Sequence, residues 1–532
     1  MSRKNGNARG VVAAGHRLTA EAGAQVLRDG GNAFDAAICA VLTSLAVESP
    51  LTALGGGGFL LVHTASGENT LLDFFVEAGG RSIDPSARGE LVAVEILFDE
   101  APQIFNIGPV SCGVPGVPAG LWEASQRFGS LPFSRLVEPG VRFARDGVTV
   151  TPMLAYMFTV LAPVVTGYPE IEKLYAPDGQ LLKAGESFRF PELADALERL
   201  ADEGPDWIYK GDGAERISEW VASRGGTLGR DDFAAYKVIE RRPVEAPYRG
   251  RHVLTNPPPS SGGILISYAL DLLERSGDPL PLDDPSGLAL LAEVMGEAQR
   301  ARTPEFHRGL HEDGFAERFL SGSHIEDARA RVIRSLSAHD RVRASADNPV
   351  GSTTHISVLD AEGNAASVTC SNGSGSGVIP PGTGLHLNNM LGEEDLNPLG
   401  FHLHDPGTRV TSMMAPTIVL RDGEVELALG SGGSNRLRSA ILQAIRYVVD
   451  YGMDVGEAVQ RGRMHHEGGV LHVEGDFDEA ALADLERRGY ELLRWKDVNL
   501  FFGGVHAAYR DPASGELSGA GDPRRDGAAV VV

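Results

Sequence analysis

Residues 32–47, NAFDAAICAVLTSLAV, constrain the fold more than any other segment, because the helix that they predict is apolar on nearly every face. A surface helix buries one stripe, whereas a helix that is apolar all round must be covered on all sides. We therefore expect this helix in an inner layer of a large core. The preceding segment, GHRLTAEAGAQVLRDGG, predicts a helix with Thr19 as its N-cap and Gly30-Gly31 as its stop.

The rest of the chain divides into a helical part and a strand-rich part. Residues 120–230 and 283–345 show helical patterns, and between them a strand, HVLTN, leads through the loop PPPSSGG into another helix. The polar segment SADNPVGS predicts an exposed loop before residue 353, and five strand patterns follow it. This order predicts an α+β fold in which sheets form a sandwich covered by helices.

Composition excludes several classes of partner. The formal net charge is −24, which disfavours nucleic acid and anionic membranes. The three cysteines show no CxxC spacing, and GGGGF lacks the Lys-Ser/Thr pair of a phosphate loop, so we expect no metal and no cofactor. The sequence shows no apolar run of signal-peptide or membrane-span length, which predicts a cytoplasmic protein.

The segment after the exposed loop predicts a β-hairpin. TTHISVL and AASVTCS alternate as strands, and DAEGN between them is a turn sequence. Symmetric pairing about Glu362 places Ser371 opposite Thr353, while a slip of one residue would place Cys370 or Asn372 there. Facing hydroxyls are common in ordinary sheets, so the hairpin alone does not indicate catalysis.

Several motifs, taken together and in order, resemble the γ-glutamyltransferase family over nearly the whole chain. They are GNAFDAA from Gly31, GGGGF from Gly55, PPPSSGG from Pro257, TTHISVLDAEGNAASVT from Thr353 and GSGGSNR from Gly430. Weaker matches lie between them, among them GVPGVPAGL from Gly113 and SMMAPTIV from Ser412.

The resemblance implies the four-layer αββα sandwich of the N-terminal-nucleophile hydrolases. It also implies that the chain cuts itself between Ser352 and Thr353. Residues 1–352 would become a large subunit with a helical portion, and residues 353–532 a strand-rich small subunit that carries the nucleophile, Thr353. The freed α-amine of Thr353 titrates near neutral pH in model peptides and would serve as the general base.

The resemblance assigns further roles around this threonine. The supporting hydroxyl falls on Ser371, and the family's asparagine just beyond falls on Asn372 or Gly373. The backbone N–H groups of the oxyanion hole fall on Gly433 and Ser434, or, with a shift of one residue, on Gly432 and Gly433.

The pocket for the acyl group departs from the family pattern. Phe75 stands where the family's LDFRE motif has the arginine that binds the substrate α-carboxylate, and Arg81 is the nearest candidate to compensate. Ser412 matches the first of two carboxylate-binding serines, but Met413 replaces the second. The acidic residue for the α-amine falls on Glu393 or Asp395, and the lid loop after it is short. The nucleophile is therefore intact, while the pocket is predicted to be rebuilt and more open.

These observations predict an enzyme that transfers a γ-glutamyl or related acyl group from a small glutathione-like molecule to water or an amine. The departures keep open a second function, the same chemistry on another substrate, such as a glutaryl-type acylase. A related alternative is a carbon–carbon bond hydrolase of a natural-product pathway, such as alkylproline formation. A third reading is an uncleaved, non-catalytic scaffold.

Overall fold

The structure is a computed structural model that describes residues 8–98, 101–337 and 353–532. Its helices are α1 (Arg17–Arg28), α2 (Ala33–Val47), α3 (Val117–Phe128), α4 (Phe133–Asp146), α5 (Pro152–Val160), α6 (Ala162–Val165), α7 (Pro169–Tyr175), α8 (Pro191–Glu203), α9 (Asp206–Tyr209), α10 (Asp212–Ala222), α11 (Arg230–Ala235), α12 (Ser261–Arg275), α13 (Pro285–Arg300), α14 (Pro304–Gly309), α15 (Phe315–Phe319), α16 (Gly322–Leu336), α17 (Leu437–Val449), α18 (Val455–Gln460) and α19 (Glu479–Arg487).

Its strands are β1 (Gly10–Ala14), β2 (Gly57–His63), β3 (Asn69–Phe74), β4 (Val92–Phe98), β5 (Ala101–Ile107), β6 (Val148–Thr149), β7 (Ser187–Phe188), β8 (Ile239–Arg241), β9 (Val244–Tyr248), β10 (Arg251–Thr255), β11 (Thr354–Asp360), β12 (Ala365–Ser371), β13 (Thr417–Arg421), β14 (Glu424–Gly432), β15 (Met464–Glu467), β16 (Val470–Val473), β17 (Glu491–Arg494), β18 (Gly504–Arg510), β19 (Leu517–Ala520) and β20 (Ala528–Val531).

Two antiparallel sheets form the centre of the molecule. In the described part of the chain, the first sheet has seven strands in the order β20-β1-β11-β12-β2-β3-β8. The second has six in the order β19-β18-β14-β13-β10-β9. Both sheets therefore combine strands from before and after residue 353, so neither half of the chain completes the core alone.

The strands of the first sheet are apolar on both faces because both faces are covered. Leu60 and Val62 pack towards a helical layer, while Phe59 and Leu61, which alternate with them, pack between the two sheets. Side chains of a strand point alternately to opposite faces, so a strand inside such a sandwich needs apolar residues at successive positions.

Helices cover the outer face of each sheet. The first sheet packs against α1 and α2, and the second against α12 and α17. Helices α3 to α10 continue the hydrophobic core of the first helical layer. The order of layers is helix, sheet, sheet, helix, which confirms the predicted αββα sandwich with an added helical portion.

The first two helices show how sequence and packing set their bounds. Asn32 caps α2 and forms a reciprocal capping box with Asp35, and every residue of α2 is buried, as predicted. The predicted N-cap of α1 is wrong: His16 caps that helix by accepting from the N–H of Leu18 over 3.1 Å. Thr19 lies inside the helix instead, and its hydroxyl donates to the buried carboxyl of Glu48.

No helix among the described residues is both long enough and apolar enough to cross a bilayer.

Candidate active site

The start of β11 places Thr353 opposite Ser371. In the hairpin, Thr354 pairs with Cys370 and Leu359 pairs with Ala365. Extending this register by one residue brings Thr353 against Ser371, and the Thr353 hydroxyl donates to Ser371 Oγ over 3.2 Å. The predicted pairing of Thr353 with Ser371 is therefore confirmed, and the register is not shifted by one residue.

Backbone groups fix the Ser371 hydroxyl from the other side. The N–H of Gly373 donates to Ser371 Oγ over 3.0 Å. Asn372, between them, is buried and turns away, since its Nδ2 donates to the carbonyl oxygen of Leu387 over 3.3 Å. The GGGGF strand runs alongside, and a Cβ at Gly56 would overlap the carbonyl oxygen of Ser371. That close approach explains a glycine at this point of the sequence.

A glycine turn from the second sheet reaches the same threonine. Gly432 ends β14 and pairs with Gly504, and a Cβ at Gly432 would overlap the carbonyl oxygen of Thr353. The chain then turns through Gly433, with φ of 129°, and Ser434, with φ of 52°. Since Gly432 is still part of the strand, the turn itself is Gly433–Ser434, which favours the first of the two predicted positions for oxyanion donors.

A narrow cavity of about 30 Å³ opens beside these groups. Eight residues that the sequence singled out line it: Phe75, Thr353, Ser371, Glu393, Asp395, Ser412, Met413 and Ser434. The remaining lining residues are apolar and were not predicted: Met390, Leu396, Met414 and Leu437. Eleven of these twelve residues are buried and Asp395 is partly exposed. That the pocket is more open than in the family stays a prediction.

Two carboxyl groups line the cavity. Glu393 accepts from the N–H of Ser374 over 2.6 Å, and Asp395 accepts from the hydroxyl of Ser434. Burial raises the pKa of Glu393, and the charge of Asp395 raises it further. Burial likewise raises the pKa of Asp395, despite the hydroxyl of Ser434 and the charges of two nearby arginines. A cationic ligand group nearby would favour the charged state of both carboxyls.

No lysine or arginine lines the cavity in the part of the chain that the structure describes. Phe75 is 1% exposed and stacks on Phe59 with ring centroids 5.3 Å apart. Arg81 does not compensate, because its guanidinium donates to Glu77 over 2.9 Å outside the cavity. Arg409 donates to the backbone carbonyl of Phe75, but it is not among the residues that line the cavity.

The PPPSSGG loop supports the wall that contains Ser412 and Met413. The N–H of Ser261 donates to the carbonyl oxygen of Ser412 over 2.7 Å. Its hydroxyl lies 3.2 Å from the Met413 sulfur. A Cβ at Gly262 would overlap the carbonyl oxygen of Met413, so the motif's glycine permits this contact. The role of this loop is thus to position the cavity wall.

Two buried residues near Thr353 escaped the sequence analysis. Arg525 donates to the Thr353 carbonyl, and Glu48 accepts from the Thr354 hydroxyl.

Ser352, the predicted residue before the cleavage point, lies outside the described residues. Among the described residues, no group of three or more His, Cys, Asp or Glu side chains is arranged to hold a metal ion.

Comparison with known proteins gives consistent results over the whole chain. The family model described as gamma-glutamyltranspeptidase matches residues 19–532. The chain is 31% identical over 543 residues to a glutathione hydrolase proenzyme of Escherichia coli (strain K12), covering 97% of this chain and 90% of that protein. It is 32% identical over 534 residues to the acylase ACY 1 proenzyme of Pseudomonas sp. (strain SE83), covering 98% and 94%.

Two solved structures that resemble this chain come from the same two groups of enzymes. A cephalosporin acylase from Bacillus halodurans superposes with a TM-score of 0.84 at 26% identity, covering 100% of this chain and 97% of that one. Helicobacter pylori gamma-glutamyltranspeptidase gives a TM-score of 0.55 at 26% identity, covering 62% and 93%. The relatives thus include both glutathione hydrolases and acylases.

Proposed function

Since the chain belongs to the gamma-glutamyltranspeptidase family, we propose that it is a self-processing enzyme whose nucleophile is Thr353. The observation that carries the proposal is the hydroxyl pair of Thr353 and Ser371, 3.2 Å apart, in a cavity that Ser434 of the glycine turn also lines. A nucleophile, a supporting hydroxyl and a turn that presents backbone N–H groups are the parts that acyl transfer requires.

Processing would follow from the same hydroxyl. Thr353 Oγ1 attacks the carbonyl carbon of residue 352, the acyl group moves from nitrogen to oxygen, and the nitrogen takes the hydroxyl proton. Water then hydrolyses the ester, which releases a large subunit of residues 1–352 and restores the hydroxyl. The small subunit, residues 353–532, begins with a free α-amine on the nucleophilic residue.

In turnover, the α-amine of Thr353 takes the proton of Oγ1 while Oγ1 attacks the substrate's amide carbonyl. The N–H groups at Gly433 and Ser434 would stabilise the oxyanion, and losing one such donor commonly lowers the rate about 100-fold or more. The amine of the broken amide leaves with the proton. Water or a second amine then attacks the acyl ester and frees Thr353.

The cavity supports a refined acyl preference. Glu393 and Asp395 supply two carboxyls that suit an amino group, while among the described residues no lysine or arginine lines the cavity to bind a carboxylate. Burying an unpaired carboxylate costs several kcal/mol. We therefore expect acyl groups that carry an amine but lack the α-carboxylate to be used better than the γ-glutamyl group. This observation favours the second predicted function, the same chemistry on a different acyl donor.

Four anilides test the preference, because they differ only in these two groups. γ-Glutamyl has both the amine and the carboxylate, 4-aminobutanoyl has only the amine, glutaryl only the carboxylate, and butanoyl neither. The proposal expects kcat/KM to be highest for 4-aminobutanoyl. A γ-glutamyl anilide that exceeds all three others would show that the carboxylate is bound and would reject the refined preference, while leaving the nucleophile in place.

A further inference from the structure

Two side chains from outside the hairpin hold the Thr353–Thr354 dipeptide. Arg525 lies in the turn Pro523–Arg525 ahead of β20, and its Nη1 donates to the carbonyl oxygen of Thr353 over 3.1 Å. Glu48 follows α2 and accepts from the hydroxyl of Thr354. The same carboxyl accepts from the hydroxyl of Thr19 over 2.6 Å, which ties it to α1.

Stability does not explain why a charged group occupies this place. Arg525 is 4% exposed and Glu48 is 1% exposed. Nε and Nη2 of Arg525 have no hydrogen-bond partner in the described part of the chain. A buried guanidinium with unused donors destabilises a fold relative to an apolar side chain of similar size. Its position beside the proposed nucleophile points to a role in the reaction.

Cleavage gives Arg525 and Glu48 such a role. Before cleavage, the chain restrains Thr353 from both sides, but afterwards Thr353 is a chain end, and chain ends fray unless they are tied down. The strand ladder does not restrain it, since β11 begins at Thr354. Building on the proposed function, we infer that Arg525 and Glu48 are positioning residues, which replace the lost anchor and keep the Thr353 hydroxyl against Ser371.

Arg525 also acts on the charge of the new α-amine. A nearby cation disfavours the protonated amine, and a nearby carboxylate favours it. Glu393 and Asp395 line the same cavity as Thr353. Arg525 interacts electrostatically with Asp522, Arg436 and Glu48, and it lines a second cavity with His16 and Asp526. Of these, Arg525 is the cation in hydrogen-bond contact with Thr353 itself. Losing it should raise the pH at which the amine becomes a base by about one unit.

The test uses the full chain and three substitutions. Arg525→Met removes the charge and the hydrogen bond, Arg525→Lys keeps the charge but shortens the reach, and Thr354→Val removes the Thr354 hydroxyl that Glu48 holds. Arg510→Met is a matched control, because Arg510 donates to the carbonyl oxygen of Asp360 over 2.6 Å at the other end of the same strand. Thr70→Val matches Thr354→Val, since Thr70 is buried and donates to Glu68 over 3.1 Å.

Mass spectrometry measures the fraction of each protein that is cleaved. The values of kcat and KM, and the pH dependence of kcat/KM, are then measured with the best of the four anilides, and kcat is expressed per cleaved molecule. Misplacing a reacting group by about 1 Å can lower the rate about 100-fold. We expect a loss of that order in kcat for Arg525→Met, with KM nearly unchanged and the acid limb of kcat/KM moved upward. Arg525→Lys and Thr354→Val should lower kcat without moving the limb upward. Both controls should keep the wild-type kcat.

The outcomes separate this inference from the proposed function. A wild-type chain that neither cuts itself nor hydrolyses any of the anilides contradicts the proposed function, on which the inference rests. A wild type that does both, with Arg525→Met equal to it in kcat and in pH profile, overturns the inference alone. If Arg525→Met does not fold, Arg525→Lys and Thr354→Val decide: wild-type kcat in both overturns the inference.

Discussion

Gly432 lies so close to Thr353 that a Cβ atom on the glycine would overlap the carbonyl oxygen of the threonine. The contact joins the last residue of β14 to the residue just ahead of β11, and so it sets the distance between the glycine turn and the proposed nucleophile. Any side chain at position 432 must push the two apart. The geometry of the site therefore depends on a packing contact as well as on hydrogen bonds.

We predict that Gly432→Ala lowers self-cleavage and turnover about 100-fold, because a shift of about 1 Å misaligns the hydroxyl with the oxyanion donors. The measurement is the rate of appearance of the two subunits, followed by anilide kinetics. Gly322→Ala is the control, since the nearest atom to its added Cβ is 4.0 Å away, at the end of an arginine side chain. Equal cleavage rates in both variants would contradict the packing argument.

Self-cleavage itself has a defined product. We predict two chains, with the smaller beginning Thr-Thr-His and accounting for about a third of the 56.4 kDa. Thr353→Ala should abolish both cleavage and activity, since it removes the nucleophile. N-terminal sequencing and denaturing electrophoresis check these outcomes. A full-length chain that still turns over substrate would exclude the proposed mechanism.

Ser371→Ala should slow cleavage and turnover but leave a folded protein, because it removes one hydrogen bond to the nucleophile, worth about 1 kcal/mol in stability. Ser367→Ala is a matched control two side chains along the same face of β12, where the hydroxyl donates to the carbonyl oxygen of Leu429 over 3.0 Å. Cleavage rates measured side by side should fall only in the first variant. Equal losses in the two variants would show that the cleavage rate depends on the packing of β12 and not on the Ser371 hydroxyl.

Local patterns predicted the hairpin, and motifs predicted most residues that line the cavity. Alternation in TTHISVL and AASVTCS, with the DAEGN turn, was enough to pair Thr353 with Ser371, because hairpin register depends on neighbouring residues. Thr19 was assigned wrongly as a helix cap because its real acceptor, Glu48, comes from another helix. Arg525 left no local signal at all, since it reaches Thr353 from 172 positions away. The apolar lining residues could not be predicted either, because nothing in the sequence distinguishes a methionine or leucine that lines a cavity from one that packs in the core.

Glu48 should make stability depend on pH. Burial raises its pKa from 4.5 to about 7, so the folded state favours the protonated carboxyl. A group of this kind destabilises the fold as pH rises from the unfolded pKa to the folded one, by up to about 3 kcal/mol. In a Thr353→Ala background, which keeps one chain, Glu48→Gln should therefore gain stability relative to its parent between pH 5 and pH 8. Thermal unfolding at both pH values measures the difference, and a constant difference would contradict the raised pKa.

Phe75 offers the sharpest test of substrate preference. Its ring lines the cavity at the position where the family motif has a carboxylate-binding arginine, and no lining residue in the described part of the chain replaces that cation. Phe75→Arg should supply a bidentate donor, which raises kcat/KM for the γ-glutamyl anilide relative to 4-aminobutanoyl at least tenfold, a change of about 1.4 kcal/mol. Phe75→Leu is the control, because it removes the ring without adding charge and should leave that ratio unchanged. If the wild type already prefers γ-glutamyl donors and Phe75→Arg weakens that preference, then Phe75 is a packing residue of the Phe59 stack, and the α-carboxylate is bound by another group.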